Sequence, residues 1–232
     1  MTVLSIAQRV TPKIGLEYPD ELYPSVIREF EELRDVMEDM ATRITEGHEW
    51  QLLSKVGTIT GDGSTTAWDL PSDYDRMVQD SQVWSDSLET PLTHLTSLNE
   101  WLGLDIQSFD FVINAWTIYG GQMYITPALA NGVTAQFFYQ SNLTFVEDDG
   151  TTFKTVSDVD SDSFRLDEGL LKLGTIWRWK SYKGQTYAEE LEDYEEKKER
   201  LVVRDKGARS LRLGRIRLPN DVQIAYPQTI TP

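Results

Sequence analysis

The sequence predicts an α+β protein with an α-helical bundle built from both chain ends, a β-rich insertion and an extended C-terminal arm. Apolar residues recur at helical spacing near both ends of the chain. Short β-prone runs between glycine turns occupy the middle, which indicates an antiparallel sandwich or barrel. The predicted boundaries are residues 1–51 and 147–206 for the bundle, 52–146 for the insertion and 207–232 for the arm.

The bundle is organised around one long amphipathic helix, predicted over residues 25–45. Pro24 suits the first turn of this helix, and Gly47 suits the position just past its end. Acidic side chains occupy one face of the predicted helix, so the apolar stripe on the other face requires a partner. The apolar residues follow steps of 4, 3, 4, 3 and 4: Val26, Phe30, Leu33, Met37, Met40 and Ile44.

Further helices are predicted at both chain ends. Thr2 caps a short helix over residues 3–10, which we expect to stop before Pro12. A second begins after Ser163 as its cap, and a last long helix ends at Gly207. In the last helix an acidic residue twice precedes a basic residue by four positions, which favours a helix: the pairs are Asp193–Lys197 and Glu196–Arg200. The apolar positions of these two helices are Leu166, Leu170, Leu173 and Trp177, then Tyr187, Leu191, Tyr194, Leu201 and Val202.

The insertion shows strand patterns and turn signals. The GDGS turn at residues 61–64 predicts a hairpin between the β-prone runs on either side. Further strands are predicted at residues 77–84, 111–119, 122–126 and 133–140. Hairpin turns are predicted at Gly120-Gly121 and Asn131-Gly132, and Ser97 is expected to cap a single helical turn.

Charge is distributed unevenly along the chain. The net charge is −16; residues 207–232 contain four arginines and one acid, so the arm is +3 and the body is −19. A body this acidic argues against wrapping nucleic acid, since DNA binders place basic residues against phosphates. The chain has no cysteine, which excludes disulfides and cysteine catalysis. We expect neither a signal peptide nor a membrane span, because every apolar run is short.

The residues predict no catalytic, cofactor-binding or metal site, and no enzyme. His48 follows a helix end, His94 has no second histidine at ligand spacing, and no catalytic motif is present. Asp158-x-Asp160-x-Asp162 begins like a calcium loop, but the glycine and the terminal glutamate of that loop are missing. A flexible acidic connector is the alternative for this motif. Tryptophans of the insertion could bind sugars if exposed, although β-propensity favours burial of Trp68, Trp84, Trp101 and Trp116.

The arm is the predicted partner-binding segment. Its aliphatic residues recur with a period of two on either side of Gly214, with arginines between them. Such a segment forms no stable fold alone, but it can add a strand to a sheet edge or fill a groove. The residues predicted to contact a partner are Arg209, Leu211, Arg212, Leu213, Arg215, Ile216, Arg217 and Leu218.

Two phrases of the sequence resemble the adaptor, or head-completion, proteins of short-tailed bacteriophages. They are ITEGHEWQLLSKVGTITGDGSTTAWDLPSDYDRMVQDSQVW and LLKLGTIWRWKSYKGQTYAEELEDYEEKKERL. The resemblance implies a homo-oligomeric ring of twelve copies under the portal protein, in the virion neck. Such a ring extends the DNA channel and lets tail or nozzle proteins dock, while duplex DNA passes without specific binding. The resemblance also implies synthesis in the cytoplasm of a bacterial host. The alternatives are another virion or tail structural protein, or a carbohydrate- or receptor-binding module that uses the insertion.

Overall fold

The computed structural model describes residues 1–87, 90–106 and 114–205. Helices and strands are mixed along this part of the chain, so the α+β prediction is confirmed. The helices are α1 (Val3–Ile14), α2 (Arg28–Glu46), α3 (Leu98–Ile106), α4 (Glu168–Tyr182) and α5 (Ala188–Asp205), with a 3₁₀ turn at Gln51–Leu53. The strands are β1 (Ser54–Thr60), β2 (Ala67–Asp69), β3 (Tyr74–Met77), β4 (Trp84–Ser85), β5 (Thr93–His94), β6 (Ala115–Tyr119), β7 (Gln122–Thr126), β8 (Thr134–Ser141), β9 (Phe145–Val146), β10 (Phe153–Lys154) and β11 (Ser163–Phe164).

Helices α1, α2, α4 and α5 contribute to one hydrophobic cluster, whose members come from residues 3–53 and 145–201. Helix α4 lies at the centre, in contact with α1, α2 and α5. Gly174 of α4 is required there, because a Cβ at this position would lie 2.7 Å from Cε of Met40 and 3.3 Å from the Tyr194 ring. The close approach of three helices therefore depends on the missing side chain of Gly174.

Helix α2 buries its predicted stripe with one exception. Phe30, Leu33 and the later apolar positions are buried, but Val26 is 90% exposed. The prediction that the helix starts at Ser25 is wrong: residue 27 has extended backbone, and its carbonyl accepts the first helical hydrogen bonds. Val26 thus lies before the helix. The helical repeat that turns the later apolar residues toward the core does not include it.

Helix α1 is capped by Thr2, whose hydroxyl accepts the Ser5 N–H at 3.2 Å. The predicted stop before Pro12 is wrong, because the helix continues to Ile14. A proline removes only one N–H from the backbone, and burial of Ile14 in the helical cluster favours the additional turn. The helix then ends at Gly15, whose φ of 77° is readily adopted only without a side chain.

Helix α4 is capped by Asp167, whose carboxylate accepts the Leu170 N–H at 2.8 Å. The prediction that Ser163 is the cap is wrong, because Ser163 pairs with Val146 in the small sheet β10-β9-β11. Lys197 binds Asp167 at 2.7 Å. This contact joins α5 to the start of α4, where the sequence had predicted a pair within α5.

The insertion contains two four-stranded sheets among the described residues. Their orders are β1-β8-β3, with β4 also on β8, and β2-β7-β6-β5. Both sheets contribute to a second hydrophobic cluster, Phe137 from the first and Ile125 from the second. The two sheets therefore share one hydrophobic core. The β5–β6 pair is parallel, so the prediction of a wholly antiparallel insertion is wrong.

Strand pairing differs from the predicted hairpins. The hairpin around residues 61–64 is wrong, because β1 pairs with β8 over seven positions and β2 pairs with β7. The turn at Gly120-Gly121 does join a hairpin, β6–β7. The turn at Asn131-Gly132 does not, since β7 and β8 lie in different sheets. Turn signals locate chain reversals, whereas pairing depends on which strands share a core.

Two local predictions in the insertion also change. The strand predicted over residues 77–84 is wrong: β3 ends at Met77, β4 begins at Trp84, and between them lies a turn in which Asp80 has a φ of 59°. The helical turn predicted at residues 97–102 is the longer helix α3. Ser97 is its cap as predicted, and its hydroxyl accepts the Glu100 N–H at 3.4 Å.

An arginine side chain of the insertion binds backbone carbonyls at the end of α2. Nη2 of Arg76 on β3 donates to the carbonyls of Thr45 and His48 at 3.2 Å each. A guanidinium pairs well with carbonyls at a helix end, where the dipole is negative. These contacts set the position of the first sheet relative to α2.

Asp73 joins three parts of the first sheet. Its carboxylate accepts hydrogen bonds from Lys55 at 2.6 Å, Tyr139 at 2.8 Å and Ser141 at 2.8 Å. Burial raises the pKa of Asp73, but these hydrogen bonds lower it by a larger amount. The pKa of this carboxyl therefore lies below its usual value. The ionised carboxylate therefore stabilises the sheet.

We expect Asp73→Asn to lower the free energy of unfolding by about 2 kcal/mol at pH 7, as is usual for hydrogen bonds to a charged group. Because the folded pKa of Asp73 is depressed, its contribution is present above the unfolded pKa of about 3.9. It disappears as the pH falls through the folded value. Urea denaturation at several pH values measures this difference.

The matched control is Asp69→Asn, because Asp69 is exposed and accepts one amide hydrogen bond from Gln122, which asparagine can also accept. We expect this control to change stability by less than about 0.5 kcal/mol. A difference between wild type and Asp73→Asn that stays constant down to pH 2 would contradict the role assigned to the charge.

Candidate interaction surfaces

The predicted partner residues, from Arg209 to Leu218, lie outside the described residues. The structure does show where the arm begins. Asp205 ends α5, and its carboxylate accepts the Gln51 N–H at 3.0 Å. The same oxygen lies 3.4 Å from Nε2 of His48. Since Gln51 opens the turn that leads into β1, α5 ends beside the N-terminal end of β1.

Strand β1 lies at the edge of its sheet. One side pairs with β8 at all seven positions, and no strand in residues 1–87, 90–106 or 114–205 pairs with the other side. Sequence reasoning predicted this strand but assigned it to a hairpin. Its edge position depends on β8, which follows much later in the chain. We call the unpaired side of residues 54–60 the β1 edge.

Apolar side chains lie on the outer face of this sheet. Val56 on β1 and Phe138 on β8 are opposite each other, and they are 51% and 55% exposed. Trp84 on β4 pairs with Gln136 of β8 and is 48% exposed. An unpaired edge beside exposed apolar residues is typical of a surface that accepts another strand.

Gly57 makes the inner face of β1 flat. A Cβ at Gly57 would lie 2.4 Å from the Phe137 ring, so the ring packs directly on the backbone. This contact holds β1 against β8 while the outer side chains at 56 and 58 stay exposed. The edge is therefore held in place by the core beneath it.

Carboxylates lie beyond the C-terminal end of β1. Asp62 accepts hydrogen bonds from Thr65 and Ser64, which hold the pKa of its carboxyl well below the usual range. Asp86 accepts the N–H of Thr134, the residue opposite Thr60, at 3.0 Å. This end of β1 is therefore negatively charged at neutral pH.

A groove runs along α5 toward the start of the arm. One part, of about 510 Å³, lies between α5 and the beginning of α4, and a second of about 470 Å³ reaches Trp50 and Asp205. The two parts share Asp167, Leu201 and Arg204. Because charges of both signs line the groove, it does not favour one charge in a ligand.

Exposed acids cover the outer faces of α2 and α5. These two helices supply most of the charge of the predicted bundle, and their apolar faces are turned into the helical cluster. The exposed acids are Glu29, Glu31, Asp35, Asp39 and Glu46 on α2, and Glu189, Glu192, Asp193, Glu195, Glu196 and Glu199 on α5. The surface they form repels polyanions.

The calcium-like motif within residues 158–162 has a structural role. Asp160 accepts the N–H groups of Leu22 at 3.1 Å and Tyr23 at 2.9 Å. Asp162 is buried and accepts donors from its own loop. The motif therefore attaches this loop to the segment before α2 and is not a loose connector. The described part of the chain contains no group of three or more potential metal ligands.

The aromatic residues of the insertion divide into buried and exposed ones. Trp101 and Trp116 are buried and Trp68 is half-buried, but the prediction that Trp84 is a core residue is wrong. Trp84 lies on a two-residue strand whose outer face no described element covers. His94 stacks on Trp116 with ring centroids 4.1 Å apart, and its burial lowers its pKa.

Among the described residues, no helix combines the length and the apolar composition that a membrane span needs.

Residues 1–219 match the family described as SU10 adaptor protein. No curated protein matches the chain. The family match confirms the resemblance to phage adaptor proteins that the sequence predicted. It identifies a phage structural adaptor protein, which implies a place in the virion and contacts with other head or tail proteins. The chain belongs to the SU10 adaptor protein family.

Proposed function

We propose that the chain is the subunit of an adaptor ring that joins the portal to the tail and extends the DNA channel. The observation that supports this most directly is the family match over residues 1–219, which includes all described elements and half of the arm. The ring has about twelve copies, as the resemblance to phage adaptor proteins implies, and it closes through a heterologous interface. It lies in the virion neck after synthesis in the bacterial cytoplasm, and it has no enzymatic activity.

Charge supports a channel role. The body carries −19, and the exposed acids of α2 and α5 lie on the outside of the helices. A channel wall of this kind repels phosphates, so duplex DNA passes without binding specifically. A protein that held DNA would show the opposite pattern, with lysine and arginine on the exposed helix faces.

The two hydrophobic clusters support separate roles for two parts of the chain. The helical bundle, residues 1–51 and 147–206, forms the body of the ring, and the insertion, residues 52–146, projects from it toward portal or tail proteins. The separate clusters are consistent with this division, because each surrounds its own set of buried side chains. The sugar-binding alternative depends on exposed tryptophans in the insertion. Of its four tryptophans only Trp84 is exposed, which favours the adaptor.

Co-expression with the portal protein of the same phage tests this function. We expect the portal complex to gain about twelve chains of 26.6 kDa each, measured by native mass spectrometry. The matched control is co-expression with the portal of an unrelated phage, which should gain no mass. Failure to join the cognate portal, with the protein folded by circular dichroism, would contradict the proposal.

A further inference from the structure

We propose that the β1 edge accepts residues 208–214 of a neighbouring copy as an additional antiparallel strand, and that this exchange closes the ring. The inference rests on the proposed ring and names the contact between its subunits. Donor and acceptor are different surfaces of one chain, which is the heterologous arrangement that generates rings.

The acceptor offers backbone and apolar surface together. Strand β1 has seven residues, and every second residue directs its N–H and C=O away from β8. On the outer face, the exposed pair Val56 and Phe138 would remain in water without a further strand. An added strand satisfies the backbone groups and packs a side chain beside Val56, as in β-strand addition.

The donor segment matches the acceptor in one register. Its sequence is ARSLRLG, with Arg209, Leu211 and Leu213 on the same side of an extended strand. An antiparallel strand with Leu213 beside Val56 places Leu211 beside Thr58. The same register places Arg209 beside Thr60, at the end of β1 where acidic residues are found.

Charge complements this register. Asp62 follows the last residue of β1 by two positions and is exposed. Arg209 on the donor strand thus lies at the end of β1 where this carboxylate is found. The arm carries +3 and the body −19, so attraction between copies assists the exchange.

The direction of the arm favours a neighbour over the same chain. The arm starts at Asp205, beside the N-terminal end of β1. Its own residues 208–214 would therefore run parallel to β1, whereas every pair in this sheet is antiparallel. Only Lys206 and Gly207 lie between Asp205 and this segment, and they span about 10 Å when extended. The exchange therefore requires the Thr60 end of β1 in the next copy to lie within about 10 Å of Asp205.

Cysteine pairs test the contact directly, because the full-length chain contains no cysteine. The variant Val56→Cys/Leu213→Cys is assembled with the cognate portal and oxidised. We expect a ladder of disulfide-linked multimers on a non-reducing denaturing gel, which collapses to monomer with reductant. The matched control, Glu29→Cys/Leu213→Cys, moves one cysteine to an exposed position on α2 and should give no ladder.

Native mass of the same sample separates this inference from the proposed function. A ring of full mass with the ladder supports both. A ring of full mass without the ladder, or with only a disulfide within one chain, overturns the strand exchange and leaves the ring standing. If no ring forms on the portal, the proposed function fails. In that case the double-cysteine variant is oxidised at high concentration without the portal. A ladder supports the strand exchange, and the absence of a ladder overturns it.

Discussion

Leu33→Ala should lower the free energy of unfolding by about 3 kcal/mol, in the usual range for a large-to-small change in a core. Leu33 is fully buried on α2 and belongs to the cluster that α1, α2, α4 and α5 share. The loss of its methyl groups leaves a cavity between helices from both ends of the chain. The melting temperature should fall by about 10 °C, measured by circular dichroism.

The control for this change is Asp35→Ala, because Asp35 lies on the exposed face of the same helix. We expect it to change stability by less than about 0.5 kcal/mol. A similar loss of stability in both variants would mean that α2 does not pack through its apolar residues. The structure assigned to the helical cluster would then be wrong.

Ending the chain at Lys206 should abolish assembly on the portal without unfolding the protein. The members of both hydrophobic clusters that the structure describes all come from residues 3–201, so we expect helical content and melting temperature to stay the same. In the proposed strand exchange every copy reaches the next one, so the deletion removes the same contact from every copy and weakens the ring strongly. We expect at least about 100-fold less incorporation into portal particles, within the range of multivalent binding.

A chain that ends at Asn220 is the matched control, since it keeps every arginine and leucine of the predicted contact. It should assemble like the full-length protein, as measured by the mass of purified portal particles. If the Lys206 variant assembles equally well, the arm is not the docking segment, and the contact between copies must lie on the described surfaces.

The helices could be predicted closely because their signals are local. The stripe from Phe30 to Ile44 repeats with the period of the helix, and every member of it is buried. The errors occur at helix ends. Pro12 is accommodated within α1 and Val26 lies outside α2, because burial against distant segments decides the last turn.

The sheets could be predicted as strands but not as pairs. Period-two runs located β7 and β8 to within a residue. Nothing local in the sequence indicates that β1 pairs with β8, or that β5 runs parallel to β6. Pairing is a long-range choice, set by which faces share a core.

Some features of the candidate interaction surfaces could be predicted from the sequence, and others depend on the tertiary structure. The basic, alternating arm was evident from composition, because a charge of +3 on so acidic a chain is a local property. The β1 edge and the exposed pair Val56 and Phe138 could not be predicted, since exposure depends on which strand lies beside which. The role of Asp160 was also hidden, because the N–H groups that it binds lie at residues 22 and 23.

The sequence by itself determined the α+β class, the helical faces, the strand segments, the acidic body with its basic arm and the resemblance to phage adaptor proteins. These features depend on spacing, composition and short phrases, all of which are local to the chain. Only the tertiary structure decided that β1 is an edge strand, that Asp73 and Asp160 bind across the fold, and that α5 ends beside β1. Those features are contacts between residues far apart in sequence, and folding alone brings their atoms within bonding distance.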